Sequence, residues 1–344
     1  MLGRTSDQSG VSGRLGHHRA RDGSTGVAVE IDFEHPHVGV VVGKRGYGKS
    51  YTLGVCIEEL ARSKGVAPVV IDPMGIYSCI EQSETSFQTR VISHPQLNPG
   101  VIPASTWPTA LGVGPETSVG ALLWDAAGAT NTLDQMSEYV TRSDAKRATQ
   151  RAAMNRLERA RSWGVFDGES IDIPILFDSA LTIFDCHHLD TPAMNAVITG
   201  VAHHLYHARV NDHGDRLPWL VIDEAQIAFQ GVAKAALHTL LTRGRAPGVS
   251  LLMATQRPSA LPSVALSQAD IRIIHRLTAG TDIETMCTAE PIYLTNTIEQ
   301  QIPQAVGEAL VIDDATEAVR TVCIRSRDTP HDGGSPRASV ISTR

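Results

Sequence analysis

The sequence predicts an α/β fold with a mainly parallel sheet, and three observations predict it. Short continuous runs of Val, Ile and Leu alternate with segments of helical periodicity, as strands covered on both faces require. One of these runs, His37–Val42, leads directly into the glycine-rich stretch Gly43-Lys44-Arg45-Gly46-Tyr47-Gly48-Lys49-Ser50. A later run, Trp219–Asp223, ends in two adjacent carboxylates, Asp223 and Glu224.

The chain opens on a stretch, residues 1–26, that is rich in Gly, Ser, Arg and His and poor in apolar residues, which predicts a disordered tail. Val27–Phe33 reads as an extra strand before the core. The core strands are then expected at His37–Val42, Ala67–Asp72, Leu181–Asp185, Trp219–Asp223, Val249–Thr255, Ile271–Arg276, Ala309–Asp313 and Val319–Arg325. Helices are expected at Ser50–Arg62, Pro192–Arg209 and Ala233–Thr242, with Thr191 capping the second and Pro192 at its first position. The pattern breaks at about 105–170, where Glu138–Trp163 is polar and helical in propensity. This reads as an α-helical insertion between the second and third core strands. The whole span 27–327 is then one domain, followed by a second polar tail at 328–344.

Bulk properties narrow the classes. A chain of 344 residues with 42% hydrophobic content suits one large domain with an insertion. A net charge of −7 and a pI near 6.0 do not announce a nucleic-acid binder, although a channel needs positive charge only where it meets its ligand. Cys56, Cys79, Cys186, Cys287 and Cys323 show no paired spacing, which argues against a disulfide framework or a zinc site and for a reducing compartment. No run approaches the ~18 apolar residues of a membrane span, and no apolar signal core is present. The expectation is a cytoplasmic protein without membrane insertion.

The stretch Gly43–Ser50 matches GxxxxGK[ST]. Glycines let successive backbone N–H groups turn inward around a β-phosphate. Lys49 would bring a cation to the β and γ oxygens, and Ser50 a hydroxyl to Mg²⁺. The helix that starts there points its positive end at the anion. Gly43, Gly46, Tyr47, Gly48, Lys49, Ser50 and Tyr51 are therefore the candidates for holding ATP. At the tip of its apolar strand, Asp223 would hold Mg²⁺ through water and Glu224 would polarise the attacking water. Phosphoryl transfer to other acceptors has less need of such a second acid. Gln256, at the tip of the next expected strand, is placed to touch a γ-phosphate. With these parts the chain reads as an additional-strand RecA-like P-loop NTPase core.

The same residues carry a family resemblance. His37–Gly54 resembles the opening of the HerA–FtsK superfamily and is nearer to HerA. Asp72-Pro73-Met74-Gly75-Ile76-Tyr77-Ser78 resembles its Asp-Pro-x-Gly-Glu-Tyr segment, with Ile76 in place of the Glu. Asp223-Glu224-Ala225-Gln226 resembles Asp-Glu-Ala-His. Gly244–Arg276, with Ala254-Thr255-Gln256-Arg257-Pro258, and Gly307-Glu308-Ala309 complete the order. Some 36 residues precede the first core strand, so a relative lacking the family's N-terminal barrel is expected.

The resemblance implies an ATPase using ATP and Mg²⁺, assembled as a homo-oligomeric ring, in this family a hexamer, that translocates double-stranded DNA. A nuclease or a viral capsid vertex is then the expected partner. A viral genome-packaging ATPase of the same superfamily is one alternative. An ATP-dependent switch or assembly factor that never moves DNA is another. Arg245, at the Arg of the family's Gly-Arg segment, is the candidate for an arginine acting in trans on a neighbour's ATP, preferred to Arg243. Its other reading is a loop arginine capping helix carbonyls.

Two further constellations stand beside these. His203, His204 and His207 share a helix, with Cys186, His187 and His188 before it. Zinc binding is one reading, but Met194, Val197, Ile198, Val201 and Leu205 already form a core face with the His beside it, which favours solvated or capping roles. Arg142, Lys146, Arg147, Arg151, Arg156, Arg159 and Arg161 form a basic stretch in the insertion. It suits either a phosphate backbone or a solvated, ion-paired helix surface.

Overall fold

The computed structural model describes residues 1–5, 9–20, 22–166, 175–289, 291–293 and 297–331. Its sheet has eleven strands. In chain order they are β1 (Ser12–Arg19), β2 (Thr25–Asp32), β3 (Val38–Val42), β4 (Val66–Asp72), β5 (Thr89–Ile92), β6 (Leu181–Asp185), β7 (Leu217–Ile222), β8 (Ser250–Thr255), β9 (Ile271–Ile274), β10 (Glu308–Asp313) and β11 (Ala318–Ile324). In space the order is β2-β1-β11-β10-β9-β3-β8-β7-β4-β6-β5. From β9 to β5 every pairing is parallel, and from β9 outward through β10, β11, β1 and β2 every pairing is antiparallel.

The parallel half positions the site. Parallel strands share one C-terminal edge, and the register Val42↔Thr255 and Val42↔Ile274 brings the ends of β3, β8 and β9 level. The loops after β3, β4, β7, β8 and β9 therefore open on the same side.

Side-chain alternation along the buried strands feeds two apolar layers. Val41, Val70, Val221 and Leu252 face helix α1 (Lys49–Arg62), which buries Leu53, Ile57 and Leu60 against them, and Leu15 and Phe33 join that layer. Val40, Val69, Leu220 and Leu251 face the opposite way. Helix Thr191–Val210 covers them with Val197, Ile198, Val201 and Leu205, and helix Ala233–Arg243 with Leu237 and Leu240. Each such side chain contributes about 1.5–3 kcal/mol when fully buried.

The insertion consists chiefly of helices Ser118–Ala129, Leu133–Arg142 and Arg147–Arg161. Thr117 and Thr132 cap the first two through their hydroxyls. Leu123, Met136, Val140, Ala153 and Leu157 form the seam that joins the insertion to the second layer.

Several expectations are corrected. Residues 1–26 contain strand β1 and the start of β2, and Leu2 and Leu15 are buried. Ser-Gly-Arg-Leu-Gly-His-His-Arg has little apolar content of its own. It is held because β2 and β11 pair with both of its edges. Strand β5, at the outer edge beside β6, has no forerunner in the sequence reading, being four residues long and nowhere fully buried. The cap of helix Thr191–Val210 is Asp190, whose carboxylate accepts the Ala193 N–H at 2.9 Å, so Thr191 lies inside the helix. Of the expected C-terminal tail, residues 328–331 lie against α1, and Thr329 is buried. The remainder, 332–344, and 167–170 of the insertion lie outside the described residues. Among the described residues no helix is long and apolar enough to cross a membrane.

Candidate active site

The loop between β3 and α1 is shaped by its glycines. Gly46 (φ 83°) and Gly48 (φ 104°) take left-handed backbone conformations, which let the chain reverse into the helix. A side chain at Gly43 would meet the Cβ of His275 at 2.7 Å. Arg45 is exposed, whereas Lys49 is buried at the first turn of α1.

Lys49, Asp223 and Glu224 converge. Lys49 Nζ donates to Asp223 Oδ1 at 2.8 Å and to Glu224 Oε1 at 3.1 Å, and it lies 3.5 Å from Ser50 Oγ. All three charged groups are nearly inaccessible to water. Such a cluster is held by its mutual pairing, because any one charge left alone there is strongly disfavoured. Glu224 itself sits at φ 48°, an uncommon backbone conformation for a glutamate. Its Oε2 accepts from Gln226 Nε2 at 2.8 Å, while Thr255 Oγ1 donates to Gln226 Oε1 at 2.6 Å. Gln256, just past the end of β8, donates to Glu224 Oε1. The carboxylate is thus oriented from two sides by amides.

Tyr77 and His275 are site residues to which the sequence reading gave no role. Tyr77, fully buried, has its hydroxyl 3.0 Å from Asp223 Oδ2 and 3.1 Å from the Ser50 carbonyl. Burial and the neighbouring Asp223 hold its pKa well above the ordinary tyrosine value, so it remains a donor. Asp72 fixes the turn that presents it, accepting the N–H groups of Met74 and Tyr77 at 3.1 and 2.8 Å. Burial, with a contribution from Asp185, pushes Asp72 up to about 6 against those hydrogen bonds. The signal for Tyr77 lay in the 72–78 segment, where the turn motif ends on a tyrosine.

His275 follows β9 and braces the phosphate loop from below. Its Nδ1 donates to the Glu308 carbonyl at 2.9 Å, which leaves Nε2 to accept the Thr52 hydroxyl at 2.8 Å. Burial lowers its pKa to about 4, so the ring is neutral and the tautomer is set by its partners. Nothing in the sequence marks His275, because its role depends on β9 lying beside β3.

A cleft of about 600 Å³ opens over these groups, lined by Gly46, Gly48, Lys49, Ser50, Tyr51 and Gln256 among others. Tyr47 lies beside it, with Arg276 Nη1 3.3 Å from its hydroxyl. Chemically, the arrangement offers backbone N–H groups and a lysine to a phosphate chain, a hydroxyl and a carboxylate to a divalent cation, and an oriented carboxylate to a water.

Arg245 is not brought to this cleft. It lines a separate hollow with Arg4, His37, Asp270 and Asp314, at the edge of the sheet where β3 and β8 begin. By strand rise that is roughly 17 Å from the phosphate loop. The histidine constellation divides too. The His203 and His207 rings pack at 4.1 Å, while His187 pairs with Asp185 at 2.6 Å on another edge. In the basic stretch, Arg142 pairs with Glu138 and Arg161 with Asp134, and Arg156 donates to the Leu111 carbonyl. Lys146, Arg147, Arg151 and Arg159 are exposed.

The family model described as the central domain of helicase HerA matches residues 14–203. Among solved structures, VirB4 of Thermoanaerobacter pseudethanolicus is similar at 18% identity with a TM-score of 0.72, covering 93% of this chain and 98% of that one. A bacterial conjugative coupling protein, TrwBΔN70, is similar at 14% identity with a TM-score of 0.57, covering 85% and 86%. A search of curated protein sequences finds no match. The two structural likenesses concern the fold.

Proposed function

The chain belongs to the family of the HerA helicase central domain and is a P-loop ATPase of the HerA–FtsK type, and from that premise we propose that it hydrolyses ATP to move double-stranded DNA through a homo-oligomeric ring. The observation that carries the hydrolytic part is the convergence of Lys49, Asp223, Glu224 and Gln256 at the common edge of β3, β7 and β8. ATP binding at the loop draws Lys49 toward the β and γ phosphates. Glu224, released from the lysine but still held by Gln226, then faces the attacking water and takes its proton.

The residues fit Mg²⁺, since Ser50 Oγ and Asp223 offer hard oxygen donors on either side of Lys49. When bound, the ion would neutralise charge on the β and γ oxygens. The Tyr77 hydroxyl, within reach of Asp223 Oδ2 and of the Ser50 carbonyl, holds the Asp223 carboxylate beside the first turn of α1.

Several features support the DNA and ring parts. The matched family is named for a helicase, and one similar structure is a conjugative coupling protein. The exposed Lys146, Arg147, Arg151 and Arg159 give an otherwise acidic chain a local basic surface for phosphates. Arg245 lies at the far edge of the sheet from its own phosphate loop, so the role we assign it is on the ATP of a neighbouring copy, at a subunit boundary of a hexameric ring.

The test is ATPase rate with and without linear duplex DNA, together with native mass of the assembly. Stimulation by duplex and a hexameric mass are expected. An ATPase indifferent to DNA at low and moderate salt would move the protein to the switch or assembly-factor class.

A further inference from the structure

Beyond the phosphate site, the cleft has a second end built from the last described part of the chain. After β11 the chain crosses the outer face of α1 as a strap, residues 325–331. Its anchor is Glu58, a carboxylate with no exposed surface in the middle of the helix. Glu58 accepts the N–H groups of Asp328 and Thr329 at 3.0 and 2.9 Å, the Thr329 hydroxyl at 2.6 Å and the Arg325 guanidinium at 2.8 Å. Arg327 lies flat on Gly54, where a side chain would meet its guanidinium carbon at 2.5 Å. Gly inside a helix costs about 0.5–1 kcal/mol relative to Ala, and here it makes room for this close approach.

The strap delivers His331 to the cleft. The Arg327 N–H donates to the Tyr51 hydroxyl at 2.8 Å, fixing the tyrosine on the first turn of α1. The His331 ring then stands edge-on to the Tyr51 ring, with centroids 5.5 Å apart and planes at 84°. These are the only two rings among the described residues lining the cleft. The phosphate-facing end is lined by Lys49, Ser50 and Gln256. An extended nucleotide with its γ-phosphate there would carry its base out of the loop, toward the wall that Tyr51 and His331 form.

We propose that Tyr51 and His331 form the nucleobase subsite, stacking the base of the nucleotide, and that the Glu58-anchored strap is what holds His331 in place. The inference rests on the P-loop binding a nucleotide. Two rings at nearly right angles make a corner in which a planar base lies on one face and is bounded by the other. Glu58 is a positioning residue and touches no ligand.

Calorimetric titration with Mg²⁺·ATP and with Mg²⁺·tripolyphosphate, which has the phosphates but no base, separates the two ends. Wild-type protein is expected to bind ATP more tightly than tripolyphosphate. Tyr51→Ala and His331→Ala are each expected to weaken ATP binding about tenfold, within the range of base–aromatic stacking, and to leave tripolyphosphate affinity within about twofold. Tyr51→Phe, which keeps the ring, should lose less than Tyr51→Ala. His331 is exposed, so its variant reports on binding without a folding defect, and thermal melts confirm this for Tyr51. Equal weakening of both ligands, or no weakening of ATP, overturns the subsite. Wild-type protein that binds neither ligand overturns the nucleotide reading beneath it.

Discussion

Lys49 Nζ lies 2.8 Å from Asp223 Oδ1, so the cation that would meet a phosphate is already paired with the carboxylate that would meet a metal. Both are buried. Lys49→Ala is expected to abolish ATP hydrolysis and weaken nucleotide binding. It also strands Asp223 and Glu224 together without a cation, a change that costs about 3–5 kcal/mol in comparable buried pairs. Denaturant titration of the variant checks the second effect, and hydrolysis within threefold of wild type would remove Lys49 from the site.

Glu224→Gln keeps the shape of the side chain and its contact with Gln226. ATP should bind as before, while single-turnover hydrolysis falls about 10²-fold or more, the lower range for a positioned base. A rate barely changed would give the role to Asp223 or to another group.

Thr255→Val cuts the chain Thr255–Gln226–Glu224 at its far end without touching the cleft. Turnover is expected to drop about tenfold with ATP affinity unchanged, since a base misaligned by a fraction of an ångström loses part of its effect. Gln256→Ala removes the other amide holding Glu224 and should also lower turnover while sparing affinity. Adding duplex DNA distinguishes the two: the Gln256 variant should lose DNA stimulation as well. Rapid-quench rates beside equilibrium binding would show whether affinity falls instead.

His37 gives a stability prediction with a pH signature. It lies buried between Asp270 (2.7 Å) and Asp32 (3.1 Å), with Arg4 and His35 also on Asp32. Burial alone would lower its pKa, but the hydrogen bonds to the two aspartates outweigh it and raise the value to about 9. A raised folded-state value stabilises fully below the unfolded value near 6.5, and that contribution fades as pH climbs through about 9. Asp32 runs oppositely. Burial would raise it, yet His37 and His35 hold it down to about 2, so its contribution is present above 3.8 and is lost on acidification toward 2. Wild-type Tm should therefore decline between pH 7 and 9.5, and His37→Gln should flatten that decline. Parallel profiles would exclude His37 as its source.

Arg245→Ala should leave ATP binding intact and abolish hydrolysis, given an arginine worth about 10³–10⁵ in rate where one acts. Mixing it with Lys49→Ala protein should restore part of the activity, because an intact loop then meets an intact Arg245 across one boundary. Full activity of Arg245→Ala alone, or no recovery despite proven subunit exchange, would defeat the assignment.

The phosphate loop, Asp223, Glu224 and Gln256 were legible because each follows a continuous apolar strand, and parallel strands carry their tips to one edge. The residues that escaped were those whose meaning comes from a distant partner. His275 acts through Thr52 and the Glu308 carbonyl. Strand β1 is polar and stays ordered between β2 and β11. The end of the strap, 328–331, looks like the start of a polar tail until Glu58, an acid on the outer side of α1, is seen to need the N–H groups of Asp328 and Thr329. Gly54 was the one local hint, a glycine inside an otherwise strong helix.

Because Arg245 and the phosphate loop sit at opposite edges of one sheet, a contact between them on two copies joins unlike surfaces. Each copy then offers a donor face to one neighbour and an acceptor face to the other, so the association is head-to-tail and heterologous. Such a contact lets copies add in one direction until the rotation between neighbours closes the circle, and an incomplete circle leaves one acceptor face without a donor. The number of competent ATP sites would then fall short of the number of chains in every assembly that has not closed.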